Sequence, residues 1–122
     1  MLFRSDRGIL YGAEEDNGEY ELYLNDEEIE SEVYSAGMTE DGTIFYMTDR
    51  NDDGSGTLWI YENDSKQISD DVITFIYQED GRIAYLYDYS FKKYKGDLMI
   101  YANNKSKLIE SDVRAICQYT VQ

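Results

Sequence analysis

The segment Asp49-Arg50-Asn51-Asp52-Asp53-Gly54-Ser55 holds the residue types in this chain best suited to chemistry. It reads D-x-N-x-D-G, the opening of a calcium loop, in which oxygens at the first, third and fifth positions converge and the glycine permits a sharp turn. Asp49, Asn51 and Asp53 are therefore the candidate metal ligands, and Ca2+ is the one cofactor the sequence raises. The ninth position is Thr57, and the twelfth is Ile60, where a bidentate Glu would complete such a loop. The same residues also read as a solvated turn rich in Asp, Asn and Gly. The sequence leaves both readings open.

Other chemistry is limited by what is missing. The chain has no His, so a Ser-His-Asp triad cannot be built, and with Cys117 as its one Cys neither can a zinc site of the usual nitrogen and sulfur ligands. Cys117 cannot form an internal disulfide, and its place in the alternating run from Ala115 to Val121 makes it a small buried side chain. No G-x-S-x-G elbow and no phosphate-cradling glycine loop occurs. With 26 carboxylates, pairs at glycosidase-like separation arise by chance, so none is assigned as acid and base. No catalytic residues are expected, and the chain does not read as an enzyme.

Charge narrows the partners. Twenty-six acidic residues against eleven basic ones give a net charge of −15, a field that repels phosphate backbones and anionic membranes. Nucleic acid is not an expected partner, and a protein is. No run approaches the ~20 apolar residues of a membrane helix, and the start Met1-Leu2-Phe3-Arg4 is too short an apolar stretch for a signal peptide. The runs Glu14-Glu15-Asp16 and Asp26-Glu27-Glu28 fall in expected turns. They read either as a mimic of nucleic-acid phosphates or as solubilising charge that blunts sheet edges.

The elements that must position these residues repeat. Glu40-Asp41-Gly42 recurs 39 residues later as Glu79-Asp80-Gly81, each before an apolar-aromatic run. Gly56-Thr57-Leu58-Trp59-Ile60-Tyr61 recurs 40 residues later as Gly96-Asp97-Leu98-Met99-Ile100-Tyr101. Lys66-Gln67-Ile68 and Lys107-Leu108-Ile109 follow, each with an acidic stop before Val72 or Val113. A diverged first copy holds Gly8-Ile9-Leu10-Tyr11, Glu19 to Leu24, and Ile29 with Val33. The units are 1–31, 32–70 and 71–110, with an extra strand at 113–121.

Within a unit the segments are short, rich in β-branched and aromatic residues, and bounded by Asp-Gly and Asn-containing turns, so they read as strands. The third unit should hold strands at 72–78, 82–87, 97–101 and about 106–109. Ile44-Phe45-Tyr46-Met47 and Leu58-Trp59-Ile60-Tyr61 are apolar at every position, as in a sheet covered on both faces. Tyr11, Tyr23, Tyr46, Tyr61, Tyr85, Tyr87 and Tyr101 fall on these strands, either packing between units or forming a face for sugars or peptides.

The stretch Thr39-Glu40-Asp41-Gly42-Thr43-Ile44-Phe45-Tyr46, then Thr48-Asp49-Arg50-Asn51, then Thr57-Leu58-Trp59-Ile60-Tyr61, resembles the TolB-like propeller repeats, related in shape to WD40 blades. That resemblance implies an all-β, β-propeller-like fold of about three four-stranded antiparallel blades. It implies a non-catalytic scaffold for protein or ligand contacts, in the extracytoplasmic part of a bacterial envelope or surface protein. Three blades are fewer than a closed ring needs. The chain thus reads as an open segment or partial propeller, a piece of a larger protein, or a part completed by association. One such association is a homodimer through open sheet edges. A glycan or small-ligand module with a calcium loop, or an acidic inhibitor mimicking nucleic acid, are the alternatives.

Overall fold

The computed structural model describes residues 2–5, 8–78 and 80–116, with side chains described from Gly8 onward. They form eleven strands: β1 (Leu2–Ser5), β2 (Gly8–Asp16), β3 (Glu19–Leu24), β4 (Glu27–Val33), β5 (Ser35–Met38), β6 (Ile44–Thr48), β7 (Gly56–Tyr61), β8 (Ser65–Tyr77), β9 (Ile83–Ser90), β10 (Lys95–Ala102) and β11 (Lys105–Val113). Every pairing is antiparallel between neighbours in sequence, giving a four-stranded sheet β1–β4 and a seven-stranded sheet β5–β11. The all-β expectation holds, and the described residues contain no helix.

Local chemistry sets the turns. Between β5 and β6 the amide of Gly42 donates to Thr39 O at 3.0 Å and the amide of Thr43 to Asp41 Oδ1 at 3.1 Å. Between β8 and β9 the amide of Gly81 donates to Gln78 O at 3.0 Å and that of Arg82 to Asp80 Oδ1 at 3.0 Å. Gly42 and Gly81 sit at φ +90° and +89°, where a side chain is strained. The two Asp-Gly signals therefore mark the same turn, as read from sequence.

Three hairpins share one register break. Tyr20, Gly56 and Gly96 pair with Val33, Val72 and Val113, and Leu22, Leu58 and Leu98 pair with Glu30, Ser69 and Glu110. Each strand has an irregularity on both sides of that Leu pair, and Glu32, Asp71 and Asp112 take positive φ just before the Val. At Gly56 a Cβ would lie 2.6 Å from the carbonyl oxygen of Thr48, and at Gly96 2.9 Å from that of Tyr87. The close approach at the break accounts for glycine at both.

Two expectations are corrected here. The acidic stop Ser69-Asp70-Asp71 does not end a strand: β8 runs unbroken for 13 residues. Its first half pairs with β7 and its second with β9, so the segments expected as separate strands belong to one. Asp71 adopts φ +52°, a conformation a short polar side chain tolerates, so the chain changes partner there without leaving the sheet. The counterpart between β4 and β5 has a single residue between strands, Tyr34, whose amide donates to Met47 O at 3.1 Å. The extra strand expected over 113–121 is also revised, since β11 ends at Val113 and residues 114–116 are not strand. The rest of that segment, with Cys117, lies outside the described residues.

Packing puts β6 and β7 in the middle. On one face Ile44 and Tyr46, with Trp59 and Tyr61 beside them, meet Leu10, Leu22 and Val33 of the first sheet. On the other face Phe45, Met47, Leu58 and Ile60 meet Val72, Ile83, Tyr85 and Tyr101. All five residues of β6 are buried, as its unbroken apolar run predicts for a strand covered on both faces. Each large side chain so buried stabilises by about 1.5–3 kcal/mol.

Candidate functional site

The loop singled out in the sequence connects β6 to β7, and its geometry is that of a turn. The amide of Asn51 donates to Ser55 O at 2.8 Å, and that of Gly54 to Asn51 O at 3.0 Å. Asp53 Oδ1 accepts from the Ser55 amide at 2.9 Å and from its hydroxyl at 2.6 Å. This is the pattern of the two Asp-Gly turns described above, with Asp53 in the place of Asp41 and Asp80. The Ser55 donors hold the Asp53 carboxyl below the usual carboxylate range. Asn51 Nδ2 donates to Ser55 Oγ at 3.1 Å, and Asp49 Oδ2 accepts from Thr48 Oγ1 at 3.0 Å. The three candidate ligands thus hold their own loop. Among the described residues no group of three His, Cys, Asp or Glu could hold a metal ion.

The residue between them does something the sequence does not disclose. Arg50 reaches back to the β2–β3 turn, where its Nη2 donates to Asn17 O at 2.6 Å and pairs with Glu19 Oε2 at 3.3 Å. Its guanidinium carbon stands 5.3 Å from the centre of the Tyr34 ring. Burial pushes the Tyr34 hydroxyl up to about 12 in spite of this cation. Arg50 therefore ties the second sheet to the first through a hydrogen bond and an ion pair, and covers Tyr34 between the two sheets.

Glu14-Glu15-Asp16 end strand β2, and of Asp26-Glu27-Glu28 the two glutamates open β4, so these runs are largely strand termini where turns were expected. All six are exposed. Glu14, Asp16, Glu19, Glu21 and Glu32 surround Tyr20 in an open cleft of about 300 Å³. Burial, then the charge of Glu15, raises the Tyr20 hydroxyl to about 12. Ser90 and Lys93 stand in S-x-x-K spacing, which corrects the expectation that no such pair occurs in the sequence. They form a turn in which the Lys93 amide donates to Ser90 Oγ at 3.3 Å.

The tyrosines divide. Tyr46, Tyr85 and Tyr101 are core, while Tyr61 and Tyr87 pack against it half-buried. Tyr11 and Tyr23 stack at 5.4 Å on the face of the first sheet turned away from β6 and β7. A hollow of about 210 Å³ opens at the other extreme, on the outer face of β8–β11, lined by Ile76, Ala84, Ile100 and Ile109 with Gln78 and Arg82. No helix among the described residues is long and apolar enough to cross a membrane. No protein-family model, curated protein or solved structure matches the chain.

Proposed function

We propose that the chain is a non-catalytic, β-propeller-like module of a bacterial protein, acting as a protein-interaction or structural element through its two outer sheet faces. One observation carries this reading. Ile29, Ile68 and Ile109 occupy the same place beside the shared register break. Ile29 packs into the junction between the first sheet and β6–β7, and Ile68 into the junction between β6–β7 and β9–β10. Among the described residues no core cluster includes Ile109, which is 51% exposed. Stacked sheet units that each offer an apolar face to the next are the build of propeller blades. An exposed apolar face at the end of such a stack marks a docking surface.

Paired substitutions test this reading. Ile68→Asn should lower stability by about 1–3 kcal/mol, while Ile109→Asn should stay within about 0.5 kcal/mol of the parent. Nile red is the suitable surface probe, because a neutral dye is not repelled by the −15 charge. Blue-shifted dye emission that Ile109→Asn removes supports a docking face. Unfolding of Ile109→Asn as readily as Ile68→Asn, or the absence of any dye binding to the dilute chain, overturns it.

A further inference from the structure

We propose that the chain associates head to tail with a second copy of itself, the outer face of β8–β11 in one copy docking on the outer face of β2–β3 in the next. This rests on the docking-face reading above and names its occupant. The two faces differ, and each repeats one half of a junction already built inside the molecule.

Register defines the correspondence. Leu10 pairs with Leu24, Phe45 with Ile60, and Ala84 with Ile100, in equivalent steps of the three hairpins. Leu10 and Leu24 face the second sheet, Phe45 and Ile60 face β9–β10, and Ala84 and Ile100 line the open hollow. The receiving faces follow the same rule. Tyr46 with Trp59 cover the first sheet, and Tyr85 with Met99 cover the middle strands. Tyr11 with Tyr23 occupy the matching positions on the opposite outer face, with Ile9 beside them 38% exposed. The Tyr11–Tyr23 pair is stacked as Tyr46–Trp59 is, at 5.4 and 6.1 Å. Among the described residues an apolar donor face and an aromatic receiving face are thus both left without a covering sheet.

Charge selects the partner. Residues 1–33 hold eleven carboxylates and two cations, whereas residues 71–116 hold seven of each and so carry seven of the chain's eleven cations. The placement is local as well. Glu14, Glu21 and Glu28 surround the Tyr23 hydroxyl. On the donor face Lys107 pairs with Ile100 and Lys105 with Ala102, so the register places both lysines on the face that carries the hollow. Lys66, which holds the place of Lys107 in the middle hairpin, already spans its junction to Asn104 Oδ1 at 3.3 Å. The turn that corresponds to Asn103-Asn104 on the receiving face is Asn25-Asp26. Lys107 of one copy is therefore set to meet the acidic Asp26 turn of the next. Unlike faces joined in this way give a heterologous contact, which propagates or closes into a ring according to its rotation.

Sedimentation of the whole chain from micromolar to millimolar concentration, at low and at 1 M salt, tests the proposal. The expected mass exceeds 14.3 kDa at high concentration, with at least tenfold weaker association in 1 M salt. Ile109→Asp damages only the donor face, and Tyr23→Asp only the receiving face. Each alone should lower chain-to-chain affinity at least tenfold, while a mixture of the two should form 1:1 dimers and nothing larger. Lys105→Glu with Lys107→Glu makes the same test on exposed positions that folding does not need. Its loss of association should be restored by a chain carrying Asp26→Lys with Glu28→Lys. A parent chain that stays monomeric at low salt overturns the proposal, as does association untouched by both single-face variants. Dye binding at Ile109 in such a monomer would leave the docking-face reading standing, whereas loss of both would remove the two together.

Discussion

The Tyr46 hydroxyl donates to Ser65 Oγ at 2.7 Å, reaching from β6 over β7 to the first residue of β8. Tyr85 and Ser106 make the same bond at 2.7 Å, from β9 over β10 to β11. Both rings are essentially buried, so a hydroxyl that would otherwise be costly to bury closes the hairpin beside it. Tyr46→Phe should lower stability by about 0.5–1.5 kcal/mol, and Tyr85→Phe by a similar amount. Urea titration followed by tyrosine and tryptophan fluorescence measures both. A neutral Tyr46→Phe would show that the hydroxyl is equally well served by water.

Arg50 is the polar tie between the two sheets. Arg50→Ala should cost about 1–2 kcal/mol, since it removes a charged hydrogen bond to Asn17 O, a surface ion pair and a contact with the Tyr34 ring. Arg50→Lys should recover little, because an ammonium cannot serve the carbonyl, the carboxylate and the ring in one geometry. Limited proteolysis should find the β2–β3 turn first in the Ala variant. Equal cleavage in parent and variant would argue against the tie.

Gly56→Ala should cost about 1–3 kcal/mol, because the new Cβ meets the Thr48 carbonyl oxygen and the Tyr34 hydroxyl. The shift in urea midpoint reads this directly, and an unchanged midpoint would mean the register break can open without loss.

Asp71 gives a pH prediction of unusual sign. Burial first, then the charges of Asp88, Asp53 and Asp70, raise its carboxyl in the folded chain above the ordinary value. A raised acid favours the folded state while protonated, so that contribution is lost as pH rises from the unfolded value through the raised folded one. Asp71→Asn, which keeps a residue tolerant of positive φ, should therefore stabilise the chain at neutral pH. The gain should vanish below the ordinary Asp range, where the parent carboxyl is protonated in both states. A gain of the same size at every pH would trace the effect to the backbone instead.

Asp53 has the opposite sign. Its folded carboxyl is lowered by the Ser55 hydroxyl and amide, so the stability it contributes is present above the unfolded Asp value and lost as pH falls through the lowered one. Asp53→Ala should destabilise at pH 7 and lose most of its effect in acid. The loss should be the same in millimolar calcium as in a chelator, because the carboxylate acts on its own turn. A melting temperature that rises with calcium in the parent and not in the variant would establish the metal reading.

The sequence by itself determined the all-β class, the Asp-Gly turns and the double burial of the middle strands, since each of these is a local matter. Asp41-Gly42 and Asp80-Gly81 carry their own hydrogen-bond partners within five residues, and Ile44-Phe45-Tyr46-Met47 admits no exposed face. Asp53-Gly54 belonged to the same class, yet the flanking Asp49 and Asn51 also fitted a ligand pattern. The structure adds the inward bonds of Asp53 to Ser55, which are those of the turn. The continuity of β8 through Asp71, the reach of Arg50 to Asn17 and the contrast between half-buried Ile68 and exposed Ile109 were decided by tertiary structure. Each depends on which strand lies beside or above another, a long-range fact that composition and spacing do not encode. Ile68 and Ile109 sit in nearly the same local sequence, and the difference between a half-buried and an exposed side chain is whether described strands pack over it.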